Sequence, residues 1–259
     1  MEMTSEDIED LKYAKHLLEN PGLAAKITNL LGTSIEKAFD LLPAKWSKTV
    51  QSATRAALED ALKIAVSTMK DKAGHESSEI LHKCIVAASG AAGGAFGLAA
   101  LTVELPLSTA VILRSIADIA RSEGERVREP EAQLACLEVF ALGSPTSKDD
   151  ATETGYFVVR AALARAVTEA AEYIVERGLV QEGAPAIVRF IARVASRFSL
   201  AVSQKVAAQA VPLVGAAGGA LINTIFIDHF QSVARGHFIV RRLERNYDPS
   251  IVKGAYLSL

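Results

Sequence analysis

Apolar residues recur at helical spacing along nearly the whole chain, and no segment alternates apolar and polar positions as a half-buried strand would. Thr4 and Ser5 ahead of an acidic turn predict a helix start, and Asn20-Pro21-Gly22 predicts its stop. A second helix is predicted from Leu23 towards Leu42, weakened at Gly32. Pro43 opens a long amphipathic run to about Lys72, in which Val50, Ala57, Leu58, Ala61, Leu62, Ala65 and Val66 share a face, and Gly74 breaks it. From Ser77 to Glu125 the spacing is again helical, with an interruption predicted at Glu104-Leu-Pro106, where proline suits the first turn of a new helix. Glu129-Pro130 starts a short helix ending at Gly143, and Ser144 to Gly155 reads as a surface loop. Helices follow from Tyr156 to Arg177 and, after a turn at Gly178 to Pro185, from Ala186 to about Asn246 with one break at Pro212. The fold class is therefore all-α: a single multi-helix bundle.

Two stretches depart from the amphipathic pattern. Cys84 to Val103 runs for 20 residues without a charge, and Val206 to Ile227 for 22. A membrane-spanning helix needs about 20 apolar residues. Both runs are diluted by small and polar residues and lack an aromatic belt, which favours buried helices at the centre of the bundle. Spans through 84–103 and 206–227 are the alternative. Both runs carry the letters GAAGG. Gly90 and Gly94, Gly93 and Gly97, and Gly215 and Gly219 lie four apart, and with Gly218 they predict close helix–helix approach in either medium. A phosphate-binding loop is excluded, because GAAGGAFG has no following lysine and no strand before it.

The charges that follow the first run are harder to place. Arg114, Asp118, Arg121 and Glu125 form a narrow stripe on a helix that is apolar almost all round before them. Half-buried charges need partners. Asp228 and Arg235, seven apart on a later helix, are expected to pair with Arg114, Arg121 or Asp118. With Glu104, His229 and His237 they make up the candidate charge cluster. His229 and His237 are eight apart, which is not a metal-ligand spacing, so no metal and no cofactor is expected. A formal charge of -2 leaves no basic footprint for nucleic acid. Cys84 and Cys136 make no disulfide framework, and the acidic start MEMTSEDIED is not a secretory signal, so a cytoplasmic setting is expected. Neither a nucleophile elbow nor an activated cysteine is visible, and no catalytic residue is assigned.

The run GAAGGAFGLAALTVELPLSTAVILRSIADIARSEGE, the helix ACLEVFALGS and the later VGAAGGALINTIFIDHFQSVARGHFIVRRLER resemble the EcsC protein family. The family's Arg-Ser-x-Ala-x-Ile-Ala-Arg pattern matches Arg114 to Arg121, with Asp118 in the variable middle. The resemblance suggests residues 46–259 as an EcsC-like helical domain behind an N-terminal helical extension, 1–45. It implies no catalytic residues. It does imply a membrane connection, since the family is named for a bacterial protein encoded beside the subunits of an ABC transporter. The resulting expectation is a non-enzymatic cytoplasmic protein, peripheral at the inner membrane, whose partner is the membrane surface or a membrane protein complex. Arg235, Arg241, Arg242 and Arg245 are placed to meet anionic headgroups, or else to form a salt-bridged surface helix. The alternatives are the integral protein described above, and a lipid-binding protein or enzyme using Glu104, Arg114, Asp118, Asp228 and His229. The sequence leaves the oligomeric state open.

Overall fold

The computed structural model describes residues 3–19, 22–32, 35–43, 45–68, 101–144, 155–178, 184–211 and 215–259. Among them are ten helices and no strand: α1 Ser5–Glu19, α2 Leu23–Leu31, α3 Ile35–Phe39, α4 Trp46–Thr68, α5 Leu101–Ser122, α6 Pro130–Leu142, α7 Gly155–Arg177, α8 Pro185–Gln209, α9 Gly215–Asn246 and α10 Pro249–Ser258. The all-α bundle is as the spacing of apolar residues predicted.

α6 lies at the centre. From Ala132 to Ala141 every side chain is buried, and the helix touches α4, α5, α7, α8 and α9. Its Phe140 joins Phe198 of α8 and Phe230 of α9, with ring centroids 4.7 and 5.4 Å away. The rings are tilted by 47° and 52°, and aromatic pairs at such distances add about 0.5–1.5 kcal/mol each beyond their burial. α4 lays an alanine-rich face (Ala53, Ala57, Ala61 and Ala65) against α5 and α8. Short side chains there let helix axes draw close. A smaller core of Leu11, Ala14, Tyr156, Ile239, Val240, Leu243, Tyr247, Val252 and Tyr256 ties α1 and α10 to the C-terminal half of α9.

Three boundaries differ from the predicted ones, each for a local reason. Gly32 does more than weaken a helix: at φ 62° it caps α2 in the left-handed conformation, with its N–H bonded to Thr28 O, so α2 and α3 are separate. Pro106 lies inside α5, which is already helical at Leu101, and the interruption predicted at 104–106 is absent. α10 was not foreseen; it starts at Asp248, whose carboxylate accepts the Ser250 N–H, with Pro249 in the first turn.

The two Ala/Gly-rich segments divide differently. Residues 84–100, with Gly90, Gly93, Gly94 and Gly97, lie outside the described residues. The second run is split, because α8 ends at Gln209 and α9 begins at Gly215, so 206–227 is not one span. Its Ala207, Ala208, Gly219 and Ile222 are buried, and Gly218 is half-buried. Among the described residues, no helix is long and apolar enough to cross a membrane. Close approach is seen instead at Gly236, where an added Cβ would stand 2.8 Å from Leu18 Cγ and 2.9 Å from Ala14 O of α1.

Candidate functional site

Residues of the predicted cluster take part in several local arrangements. Glu104, near the start of α5, is buried and receives Lys205 of α8, whose Nζ donates to Oε1 at 2.8 Å and Oε2 at 3.0 Å. Asn223 of α9 adds a bond from Nδ2 to Oε1 at 3.1 Å. Lys205 is 0% exposed, and its ammonium sits 5.0 Å from the centre of the Phe226 ring. Burial alone would raise the Glu104 carboxyl, but the charge and hydrogen bonds of Lys205, with those of Asn223 and Ser108, hold it below the usual carboxylate range. This is a complete ion pair joining three helices in a dry interior.

Further along α5, Arg114 is exposed. Arg121 bonds Asp118 on its own helix at 2.6 Å. Asp228 of α9 reaches Lys26 of α2 at 3.8 Å, a partner the sequence did not suggest, and Arg235 is half-buried. Glu104 and Asp118 are 14 residues apart, about 21 Å along a helix, so one ligand-sized site does not hold both.

The histidines serve as packing pins. His229 Nε2 lies 2.6 Å from Gly143 O; a carbonyl only accepts, so Nε2 carries the proton. Burial pulls this imidazole down to about 4, and it is neutral at physiological pH. The backbone can approach because residue 143 is glycine: a Cβ there would meet the Phe230 ring at 2.6 Å. His237 shares a 2.9 Å hydrogen bond with Tyr156 OH and is likewise held neutral by burial, well below the usual imidazole range. Among the described residues no three His, Cys, Asp or Glu side chains are grouped to hold a metal. Burial pushes the Cys136 thiol up to about 12, which keeps it protonated at neutral pH.

In the most heavily charged region, Arg160, Glu138 and Glu244 were not singled out in the sequence. Arg160 of α7 forms a two-pronged pair with Glu244 of α9 at 2.9 and 2.8 Å. Beside it stands Glu138 of α6, whose carboxyl burial raises to about 7 despite Arg160 and Arg241 nearby. Arg241 bonds Glu125 at 2.8 Å and lies 3.7 Å from Glu131. Arg245 bonds Glu125 as well, and Arg242 takes Asp10 at 2.5 Å and Glu123 at 3.2 Å. Arg241, Arg242 and Arg245 are therefore bound to the protein's own acids, as in the salt-bridged of the two readings the sequence offered for them. A signal did exist for Lys205 and Glu138, since each is a lone charge within an apolar helical stretch, VSQKVAAQ and ACLEVFAL.

Two surface hollows flank α7. A groove of about 560 Å³ between α6 and α7 is rimmed by Glu129, Glu131, Glu172 and Glu176. A notch of about 350 Å³ between α7 and α8 is lined by Arg165, Glu169, Arg189 and Arg193.

Set against known proteins, the sequence matches the family model described as the EcsC protein family over residues 7–243. No curated protein and no solved structure matches the chain.

Proposed function

With residues 7–243 matched, the chain belongs to the EcsC protein family, and we propose that it is a non-enzymatic protein attached to the cytoplasmic face of the inner membrane or to a transporter complex there. The observation that carries this reading is the contrast between the two sides of α5. Glu104 is fully taken up inside by Lys205 and Asn223, while Val103 and Leu107, one turn apart, are left 74% and 52% exposed. Chemistry is sealed inward and aliphatic surface is presented outward. Exposed aliphatic residues of this size at the edge of an uncharged run favour a membrane or protein partner over open water.

An enzyme or lipid-binding site built on Glu104, Arg114, Asp118, Asp228 and His229 has less support. Glu104, Asp228 and His229 each have a different partner, from Lys205 to Lys26 to Gly143, and Arg114 is exposed. Fractionation of tagged protein tests the proposal. Release from membranes by high salt or carbonate, with crosslinks to a membrane component, is the expected result. Recovery wholly in the soluble fraction with no such crosslink refutes it, and resistance to carbonate would indicate an integral protein.

A further inference from the structure

α5 and α9 run side by side in the same direction. Glu104 of α5 meets Asn223 of α9 at 3.1 Å, and further along both helices Ser115 accepts the Gln231 amide at 2.6 Å. At about 100° per residue, Val103, Leu107 and Ala110 stand about 100° before the side of α5 that carries Glu104 and Ser115. On α9, Leu221 and Ile225 stand about 140° past the side that carries Asn223 and Gln231. Between parallel helices of one hand, a stripe that precedes the contact on one and a stripe that follows it on the other open to the same side. The two stripes therefore form one apolar face, on which Val103, Leu107 and Leu221 are 74%, 52% and 46% exposed.

Charge is absent from this face and resumes at one level. Arg114 lies 13 residues from Leu101 on α5, and Asp228 lies 13 from Gly215 on α9, each about 20 Å along the axis. The one charge inside those stretches, Glu104, is turned inward onto Lys205. α2, which also packs on α9, carries Lys26 as its single charge, and that lies 3.8 Å from Asp228. Between Leu221 and Ile225, Thr224 gives its hydroxyl to Ala220 O at 2.9 Å, inside its own helix.

These features fit lipid better than protein. The three exposed side chains together uncover less than two whole aliphatic side chains. A stable protein interface takes about 20–30 residues a side and about one hydrogen bond per 100–200 Å². An uncharged stripe of about 13 residues is too short to cross a bilayer, which takes about 20, and long enough to rest in one leaflet. We propose that the α5–α9 face sits at the acyl boundary of one leaflet of a bilayer, with Val103, Leu107 and Leu221 entering it and Arg114, Lys26 and Asp228 staying in water at its edge. The inference rests on the membrane-associated reading above and gives it a surface and a lipid chemistry. The hold is apolar, indifferent to headgroup charge, and weak enough to reverse.

The test is flotation of the full chain with phosphatidylcholine vesicles at low and high salt, and again with phosphatidylglycerol added. The wild type is expected to float in every case. Val103→Asn/Leu107→Asn/Leu221→Asn is expected to bind about a hundredfold more weakly, and Arg114→Leu, which extends the stripe, about tenfold more tightly. Should the triple variant fail to fold, Arg114→Leu decides. Equal flotation of the variants and the wild type overturns the assignment of this face and leaves membrane association standing. No flotation of the wild type overturns direct lipid contact, and the crosslinks to a membrane component described above then decide the broader reading separately. Flotation confined to anionic vesicles and lost at high salt would mean a charge-driven contact and also overturn the proposal. So would a dimer in sedimentation that the triple variant dissociates, since a second copy would then cover the face.

Discussion

Replacing Lys205 by Met should damage the protein more than its lost contacts alone would suggest. Methionine fills a similar volume, and the Phe226 ring offers it an apolar neighbour. What remains is a buried Glu104 carboxylate with only Asn223 and Ser108 as hydrogen-bond partners. Removing one member of a buried pair costs about 3–5 kcal/mol, because the survivor stays uncompensated. Glu104→Leu should cost a similar amount by stranding the Lys205 ammonium. In the double variant neither charge remains, and apolar packing replaces the pair; the residual penalty is the Asn223 amide left without its acceptor, about 1–3 kcal/mol. The double variant is thus expected to be no less stable than either single one, giving a coupling of at least about 3 kcal/mol in urea unfolding at pH 7. The pair has a pH signature as well. The folded Glu104 carboxyl lies below its ordinary range, so the unfolded chain takes up the proton first. The pair's contribution is present at neutral pH and is lost as pH falls through the carboxylate range. Penalties that simply add in the double variant, within about 0.5 kcal/mol, would refute the pairing and its buried setting.

Glu138 is expected to show the opposite pH trend. Its folded carboxyl titrates at about 7 against an ordinary 4.5, so the folded state keeps a proton that the unfolded state loses, and stability falls as pH rises between those values. Glu138→Gln removes that loss and should raise stability over wild type by about 2–3 kcal/mol at pH 8 while matching it near pH 4, as read by urea midpoints. His229, pulled down to about 4, runs the other way in the same window but is common to both proteins and cancels in the comparison. Gly236→Ala tests whether α1 is an integral part of the bundle. The new Cβ meets the Ala14 carbonyl at 2.9 Å, so α1 must shift, at a cost of about 1–3 kcal/mol, and limited proteolysis should cut at α1 sooner than in wild type.

The helices were legible because their signals are local. The period of Val50 to Val66, the Pro130 start of α6 and the Gly178 stop of α7 each act within a few residues. The errors occur where a local signal has two outcomes. Pro106 suits a helix start, yet α5 is helical ahead of it, because packing against α4 and α9 outweighs one missing N–H. Gly32 is tolerable inside a helix until it adopts a positive φ, and nothing in its immediate neighbours announces that it does. The central place of α6 was visible in its lack of any polar face but was overshadowed by the longer Ala/Gly-rich runs.

Charge was less legible, because what an arginine does depends on which acids fold onto it. Arg241, Arg242 and Arg245 follow an apolar run, and from neighbours alone they read equally as headgroup ligands or as a salt-bridged helix. Folding brings them Glu125 and Asp10, 116 and 232 residues away in sequence from Arg241 and Arg242, together with Glu123 and Glu131. Four carboxylates against three guanidiniums leave no positive excess to offer a membrane. Arg165, Arg189 and Arg193 look unremarkable in sequence; folding gives Glu169 to Arg165 and Arg189 and the Ala162 carbonyl to Arg193, with Glu172 and Glu176 further along the same side of α7. Neither group of arginines declares its role in sequence, because the acids that stand beside it are decided by which helices the fold packs together.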